Sequence, residues 1–79
     1  MRLTLQMFGN LKDYYESELE IETACERAAD LREELVRRNK NARELLECCR
    51  FAIGDELISD DCRLYPQARI LVFPPSSGG

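Results

Sequence analysis

The sequence predicts an α+β domain in which one main helix and one short helix accompany a mixed sheet of about five strands. Three observations favour this fold class. Two short runs within the first 22 residues alternate apolar and polar side chains, as half-buried strands do. The segment that follows repeats its apolar residues at helical spacing. Residues 69–73 form a nearly continuous apolar run that is too short for a helix and rich in strand-forming residues.

The two N-terminal runs predict a hairpin with a longish loop. Their apolar positions are Leu3, Leu5 and Met7 in the first run and Leu19 and Ile21 in the second. Since side chains alternate across a strand, each set lies on one face. Phe8 then falls on the face opposite to the apolar set of its own strand.

The main helix is predicted over residues 24–38. Thr23–Glu26 has the sequence of a capping box, in which a threonine hydroxyl and a glutamate carboxylate satisfy free backbone N–H groups. The apolar stripe of the helix consists of Ala24, Ala28, Leu31 and Leu35. Acidic residues crowd its beginning and basic residues its end, as the helix dipole favours.

A short helix and a second hairpin are predicted next. Asn41 is placed to cap a short helix over residues 42–48. Apolar runs at residues 51–53 and 56–58 flank Gly54-Asp55, and glycine at the first central position suits a two-residue type II′ turn.

The last predicted strand, residues 69–73, has the composition of a central strand covered on both faces. Pro74 and Pro75 end it, since proline cannot donate to the ladder. With the last strand beside the first, the element order predicts a β-grasp, or ubiquitin-like, roll. We expect residues 1–75 to form this one domain and residues 76–79 to form a flexible tail.

Composition excludes several classes of function. The net charge of −4 argues against binding to nucleic acid, and the only local basic run, residues 37–40, lies at the predicted end of the main helix, where cations complement the helix dipole. The N-terminal residues lack the apolar stretch of a signal peptide or membrane anchor, so we expect a cytoplasmic protein without membrane contact. Without histidine, the chain has no Ser-His or Cys-His nucleophile pair.

The four cysteines are expected to be thiols. They are Cys25, Cys48, Cys49 and Cys62. A cytoplasmic protein rarely keeps disulfides. Their spacing contains no Cys-x-x-Cys pair, which disfavours a structural zinc site. Redox chemistry is the remaining alternative.

The ending Gly78-Gly79 is the predicted working end. Glycine lacks a Cβ, so such an ending fits a narrow enzyme tunnel. Its α-carboxylate, once activated by ATP as an acyl-adenylate, is open to attack by sulfur. No lysine or cysteine lies within ten residues to intercept the activated group. The alternative is a plain Ser/Gly tail, which the strand and two prolines that precede it disfavour.

Residues 72–79, Val-Phe-Pro-Pro-Ser-Ser-Gly-Gly, resemble the ending of the MoaD/ThiS family of ubiquitin-like sulfur carriers. The Pro-Pro pair makes the sequence most similar to MoaD, the small subunit of molybdopterin synthase. The resemblance implies that a MoeB-like, E1-like adenylyltransferase uses ATP to adenylate Gly79 and that a sulfurtransferase provides the sulfur of a Gly79 thiocarboxylate. The chain itself is then expected to bind no cofactor and not to be catalytic alone.

The resemblance also implies a receiving partner. In the family, the tail enters a MoaE-like large subunit within a heterotetramer and donates sulfur to cyclic pyranopterin monophosphate. Partner contacts are then expected at Phe8, Leu57, Phe73, Pro74, Pro75, Ser76 and Ser77, with Gly78 and Gly79 in the reaction. Sulfur carriage for thiamine or another metabolite, and conjugation as a ubiquitin-like modifier, are the alternatives.

Overall fold

A computed structural model describes residues 1–75 of the chain. Five strands form one mixed sheet in the order β2-β1-β5-β3-β4. Only the β1–β5 pair is parallel among these neighbours. The elements are β1 (Arg2–Met7), β2 (Glu18–Glu22), α1 (Ala28–Arg38), α2 (Arg43–Cys48), β3 (Arg50–Ile53), β4 (Glu56–Ile58) and β5 (Arg69–Phe73), with 3₁₀ turns at Gly9–Asp13 and Lys40–Ala42. The predicted β-grasp fold is confirmed.

One face of the sheet, which we call the inner face, packs against α1. Its strands contribute Leu3, Leu5, Met7, Ile21, Phe51, Ile70 and Val72, all at most 3% exposed. From α1 come Ala28, Leu31 and Leu35, none of which has any accessible surface. The alternation read from the first strand is therefore confirmed, and burial of these side chains is the main stabilising contribution.

Helix α1 begins at Ala28, four residues later than predicted. The free N–H groups of its first turn find acceptors in the segment before β5: Ala28 N donates to Cys62 O and Ala29 N to Asp60 O, both at 3.0 Å. In the opposite direction, Leu64 N donates to Glu26 O at 2.8 Å. These long-range backbone bonds and the bridge between Arg27 and Arg63 pair residues 26–28 with residues 62–64, so the helix does not begin at residue 24.

The predicted capping box at Thr23–Glu26 is therefore wrong. The Thr23 hydroxyl accepts from Cys25 N at 3.2 Å, two residues further along a segment that is not helical. Asp30 provides the carboxylate at the helix N-terminus and accepts from Arg27 N at 3.1 Å. Ala24, a member of the predicted apolar stripe, is exposed, and Cys25 is buried instead.

The second half of the chain follows its prediction with one change of cap. Helix α2 is present, but Asn39 rather than Asn41 caps the turn before it, its Oδ1 accepting from Asn41 N at 3.1 Å. In the β3–β4 hairpin, Gly54 has φ = 61° while Asp55 has a negative φ. Because a type I′ turn needs positive φ at both residues, this pattern supports the predicted type II′ turn.

Arg32 joins α1 to the end of α2. Its guanidinium lies 4.8 Å from the Phe51 ring centroid and donates to the carbonyl oxygens of Leu46 and Cys49. It also forms an ion pair with Asp60 at 2.9 Å. One side chain thus donates to two carbonyls at the C-terminal end of α2, where the regular helical hydrogen bonds stop.

Strand β5 is central, as predicted, but only one of its faces is fully covered. Ile70 and Val72 on the inner face have no accessible surface. Leu71 and Phe73 point to the other face, which we call the outer face, and are only partly buried. Within residues 1–75, no helix lies over this outer face, so the prediction of two covered faces is wrong.

Candidate functional site

The chain leaves the domain through Pro74 and Pro75, and the position of Pro74 depends on Gly9. A Cβ at Gly9 would lie 2.6 Å from Pro74 Cγ, closer than any side chain tolerates. Gly9 also has φ = 58°, a left-handed conformation that glycine adopts without a steric penalty. The sequence therefore places a glycine where the exit must pack closely on the turn after β1.

Phe8 and Phe73 form a stacked pair beside this exit. Their ring centroids are 4.7 Å apart and their planes differ by 11°. Phe8 N donates to Val72 O at 3.1 Å, which extends the parallel β1–β5 pairing by one residue. Both rings are partly exposed on the outer face. The two aromatic residues predicted as partner contacts are thus brought together at the start of the tail.

Leu57 lies on the same face, two strands from Phe73. The register pairs Ala52 with Leu57 and with Leu71, so these three side chains form one row across β4, β3 and β5. Leu57 is 60% exposed, whereas Ala52 beneath its neighbours is 4% exposed. Phe73 is two residues beyond Leu71 and therefore shares its face.

We call Phe8, Ala52, Leu57, Leu71 and Phe73 the apolar patch. Sequence reasoning identified three of its members and missed Ala52 and Leu71. Leu71 could have been found from its spacing of two from Phe73. Ala52 could not, because its place on the outer face depends on the pairing register of three strands.

The rest of the outer face is polar. Arg69 Nη2 lies 2.6 Å from Glu18 Oε1 and donates to Gln6 Oε1 at 3.0 Å, which links β2, β1 and β5. Both ionic partners are more than half exposed, so this bridge adds little to stability. The outer face is therefore divided into a charged half at β2 and an apolar half at the exit. Such a boundary is typical of a protein-binding surface with a polar rim.

The cysteines differ in accessibility. Cys25 and Cys49 are buried, Cys62 is partly buried, Cys48 is exposed, and all four are thiols. Burial raises the pKa of Cys49, although Arg32 Nη1 lies 3.2 Å from its sulfur and opposes the shift. In residues 1–75 no group of three His, Cys, Asp or Glu residues could hold a metal ion. The same residues contain no helix long and apolar enough to span a bilayer.

The predicted tail residues Ser76, Ser77, Gly78 and Gly79 lie outside the described part of the chain. Of the predicted site, the structure places Phe8, Leu57, Phe73, Pro74 and Pro75. The first three lie on one face, and the two prolines lie at its edge.

Comparison with protein families decides the relationship. The model described as "ThiS family" matches residues 5–79. The chain belongs to the ThiS family. The match covers nearly the whole domain and continues to Gly79, which confirms the resemblance seen in the sequence. No curated protein matches this ThiS-family chain significantly.

Solved structures place the ThiS-family chain among proteins of the same fold. SAMP1 from Haloferax volcanii superposes over the full length of both chains with a TM-score of 0.80 at 13% identity. A putative molybdopterin converting factor, subunit 1, from Pyrococcus furiosus has a TM-score of 0.81 at 24% identity, covering 96% of this chain and 99% of that one. At these identities the two structures support the fold alone.

A third structure is a protein-protein complex of subunits 1 and 2 of molybdopterin-converting factor from Helicobacter pylori 26695. The matching chain is 26% identical and fully covered, with a TM-score of 0.70. This chain is thus similar to a protein solved together with a second subunit.

Proposed function

We propose that this chain is a sulfur carrier and the small subunit of a molybdopterin synthase. Gly79 is adenylated by an E1-like, MoeB-like partner: its carboxylate attacks the α-phosphorus of ATP and pyrophosphate leaves. The outer sulfur of a sulfurtransferase persulfide then attacks the acyl carbon and AMP leaves. A thiol next attacks the inner sulfur of the acyl disulfide, which forms a new disulfide and releases the thiocarboxylate. The resulting thiocarboxylate donates sulfur to cyclic pyranopterin monophosphate in a MoaE-like large subunit. The use of ATP agrees with the cytoplasmic location expected from the sequence.

The observation that carries this proposal is the family match that extends through Gly79 in a chain whose exit is bordered by an apolar patch. A carrier needs a reactive end and a surface by which partners recognise it. Gly78 and Gly79 provide the first and the apolar patch the second. The chain needs no catalytic side chain, since the chemistry at Gly79 takes place inside its partners.

The likeness to the Helicobacter pylori complex supports a large-subunit partner. For this chain we expect the large subunit to cover the apolar patch within a heterotetramer of two small and two large subunits. Burial of exposed aromatic and aliphatic side chains is the usual source of affinity in such interfaces.

The second candidate is a sulfur carrier for thiamine or another sulfur-containing metabolite. The family match favours this second function as much as the molybdopterin function, because both need the same activation and thiocarboxylation of Gly79. Conjugation to lysines as a ubiquitin-like modifier has only the fold of SAMP1 to support it, since 13% identity carries no function.

Intact-mass spectrometry tests the carrier reaction. The chain is incubated with ATP, a sulfide source and the E1-like adenylyltransferase of its own source organism. We expect a gain equal to the mass difference between one sulfur and one oxygen atom, and no gain in a variant that lacks Gly79. An unchanged mass in the full chain would refute the proposal.

A second assay separates the pathways. The thiocarboxylate form is mixed with a large subunit and cyclic pyranopterin monophosphate, and dithiolene formation is followed. If no dithiolene forms but the thiocarboxylate donates sulfur in a thiazole-forming system, the chain is a carrier for thiamine synthesis. A ladder of conjugates with cellular proteins would instead favour the modifier function.

A further inference from the structure

A groove opens on the opposite side of the exit from the apolar patch. It lies between the 3₁₀ turn Gly9–Asp13 and α2 and has a volume of about 330 Å³. Its lining consists of Asn10, Tyr14, Asn41, Glu44, Leu45, Cys48 and Pro75. We call it the exit groove, because Pro75 forms part of its wall.

The walls of the exit groove are held by the fold itself. Asn39 Nδ2 donates to Tyr14 O at 3.1 Å, which ties the 3₁₀ turn of the first wall to the approach to α2. Leu11, in the middle of that turn, is fully buried in the core. The groove is therefore a preformed feature, and binding in it requires little ordering of the main chain.

The length of the tail requires a partner to come close to this groove. Gly79 is four residues beyond Pro75, so its carbonyl lies at most about 14 Å from that residue even with the chain fully extended. An enzyme that encloses Gly79 must therefore bring the rim of its active site against the surface around Pro75. On one side that surface is the apolar patch, and on the other it is the exit groove.

The patch and the groove are continuous through three consecutive residues. Phe8 belongs to the patch, Gly9 contacts Pro74, and Asn10 lines the groove. A partner that contacts both sides would surround the start of the tail. A partner that contacts the patch alone would leave Pro75 and the groove beside it in contact with water.

Charge distinguishes the possible occupants. Among the groove residues within the described part of the chain, Glu44 alone carries a formal charge at neutral pH. The carboxylate of the chain's own tail would be repelled by Glu44, whereas a basic group of a partner would be attracted. The half-buried Leu45 and the partly exposed Tyr14 ring offer the apolar part of the contact.

We propose that the exit groove is the second half of the docking surface: the partner that receives Gly79 inserts a rim segment there, with an apolar side chain against Leu45 and Tyr14 and a basic side chain facing Glu44. This inference rests on the proposed function and adds a determinant of partner recognition to it. The volume suits one or two protein side chains, being near the lower limit of about 300 Å³ for small-molecule pockets.

A charge-reversal pair tests the inference. Glu44→Lys is compared with Glu33→Lys, an exposed residue of α1 that lines a different groove. Both variants change the net charge equally. We expect Glu44→Lys to lower kcat/KM for thiocarboxylation by about three- to tenfold, because it replaces an attractive charge contact at the rim of the interface with a repulsive one. Glu33→Lys should have the kcat/KM of the wild type.

The result separates this inference from the proposed function. If the wild type gains sulfur and both variants react equally well, the exit groove is not a contact and the carrier function stands. If the wild type gains no sulfur, the carrier function fails and this inference fails with it.

Alkylation of Cys48 tests occupancy directly. Cys48 lines the exit groove, whereas Cys62 lies in the segment before β5 and serves as the internal control. We expect the bound adenylyltransferase or large subunit to slow N-ethylmaleimide modification of Cys48 but not of Cys62, as read by peptide mass spectrometry. Equal rates with and without partner would overturn the proposal.

The same measurement on the isolated chain identifies other occupants. Faster modification of Cys48 after deletion of residues 76–79 would show that the tail itself fills the groove. Protection of Cys48 that grows with protein concentration would show that a second copy does. Either result contradicts the partner-rim assignment.

Discussion

The two faces of the sheet use similar side chains for different purposes. On the inner face, Leu3, Leu5 and Ile70 have no accessible surface because α1 covers them. On the outer face, Leu57 is 60% exposed and the stacked Phe8 and Phe73 rings are partly exposed. Apolar side chains therefore occupy the inner face and one half of the outer face, but within the described residues a helix covers only the inner face.

In this small domain, one face of the sheet provides stability and the other provides a surface for recognition. A chain of 79 residues has few apolar side chains to spare, since small domains bury a limited share of their surface. This chain nevertheless leaves Leu57 exposed and Phe8, Leu71 and Phe73 only partly buried on the outer face. An exposed apolar cluster of this kind marks an interface.

A matched pair of leucine truncations should give the largest contrast between the faces. We expect Leu5→Ala to lower the free energy of unfolding by about 2–5 kcal/mol, because it opens a cavity in the core. Leu57→Ala removes the same atoms from an exposed position, and we expect a loss below about 1 kcal/mol. Urea denaturation of both variants measures the difference. Equal losses would contradict the division into a structural and a recognition face.

Truncation of Phe73 should lower the affinity for a partner much more than it lowers the stability of the domain. We expect Phe73→Ala to weaken binding of the large subunit by about 2 kcal/mol or more, as at an aromatic interface anchor, while the domain stays folded. Calorimetric titration measures the affinity, and circular dichroism checks the fold. Arg69→Ala, on the polar half of the same strand and face, is the control and should bind nearly as the wild type does. Unfolding of Phe73→Ala would show that this ring belongs to the core.

Two glycines have the same backbone conformation but different surroundings, so substituting each of them tests how tightly the exit is packed. Gly9 and Gly54 have φ values of 58° and 61°, but a Cβ would meet Pro74 at Gly9 and open space at Gly54. We expect Gly54→Ala to cost about 1 kcal/mol from backbone strain alone. Gly9→Ala should cost about 1 kcal/mol more, because Pro74 must move. Thermal denaturation compares the stabilities, and similar losses would show that the Gly9–Pro74 contact is not constrained.

The smallest expected effect is a loss of stability at alkaline pH, through a tyrosine that contacts α1. Tyr15 donates its hydroxyl proton to Leu35 O at 2.5 Å, and burial raises the pKa of Tyr15 to about 12. Because this value is above that of the unfolded chain, about 10, the stabilising contribution is complete below pH 10 and is lost as the pH rises towards 12.

Denaturation at a series of alkaline pH values tests this dependence. We expect Tyr15→Phe to be less stable than the wild type at neutral pH, by about 1 kcal/mol for a lost hydrogen bond, and to show a shallower decline through the alkaline window. Tyr65→Phe, at a tyrosine that is 52% exposed, is the control and should leave the decline unchanged. An identical alkaline slope in Tyr15→Phe and wild type would contradict the assignment.

The sequence by itself determined the elements whose signals are local. Alternation in the first strand, the helical stripe of Leu31 and Leu35, and glycine in the β3–β4 turn each depend on residues within a few positions of one another. The same holds for Phe8 and Phe73, whose outward direction follows from the period of a strand. The family resemblance also depended on a contiguous segment, residues 72–79.

Only the tertiary structure decided features that join distant segments. Helix α1 begins at Ala28 because carbonyls of Asp60 and Cys62 satisfy its first N–H groups, and no local pattern contains that information. Ala52 enters the apolar patch through the register of three strands. Cys48 and Pro75 meet in the exit groove although 27 positions separate them in the chain. Side-chain periodicity is a property of one segment, whereas burial, pairing and the surroundings of the exit depend on which segments the fold brings together.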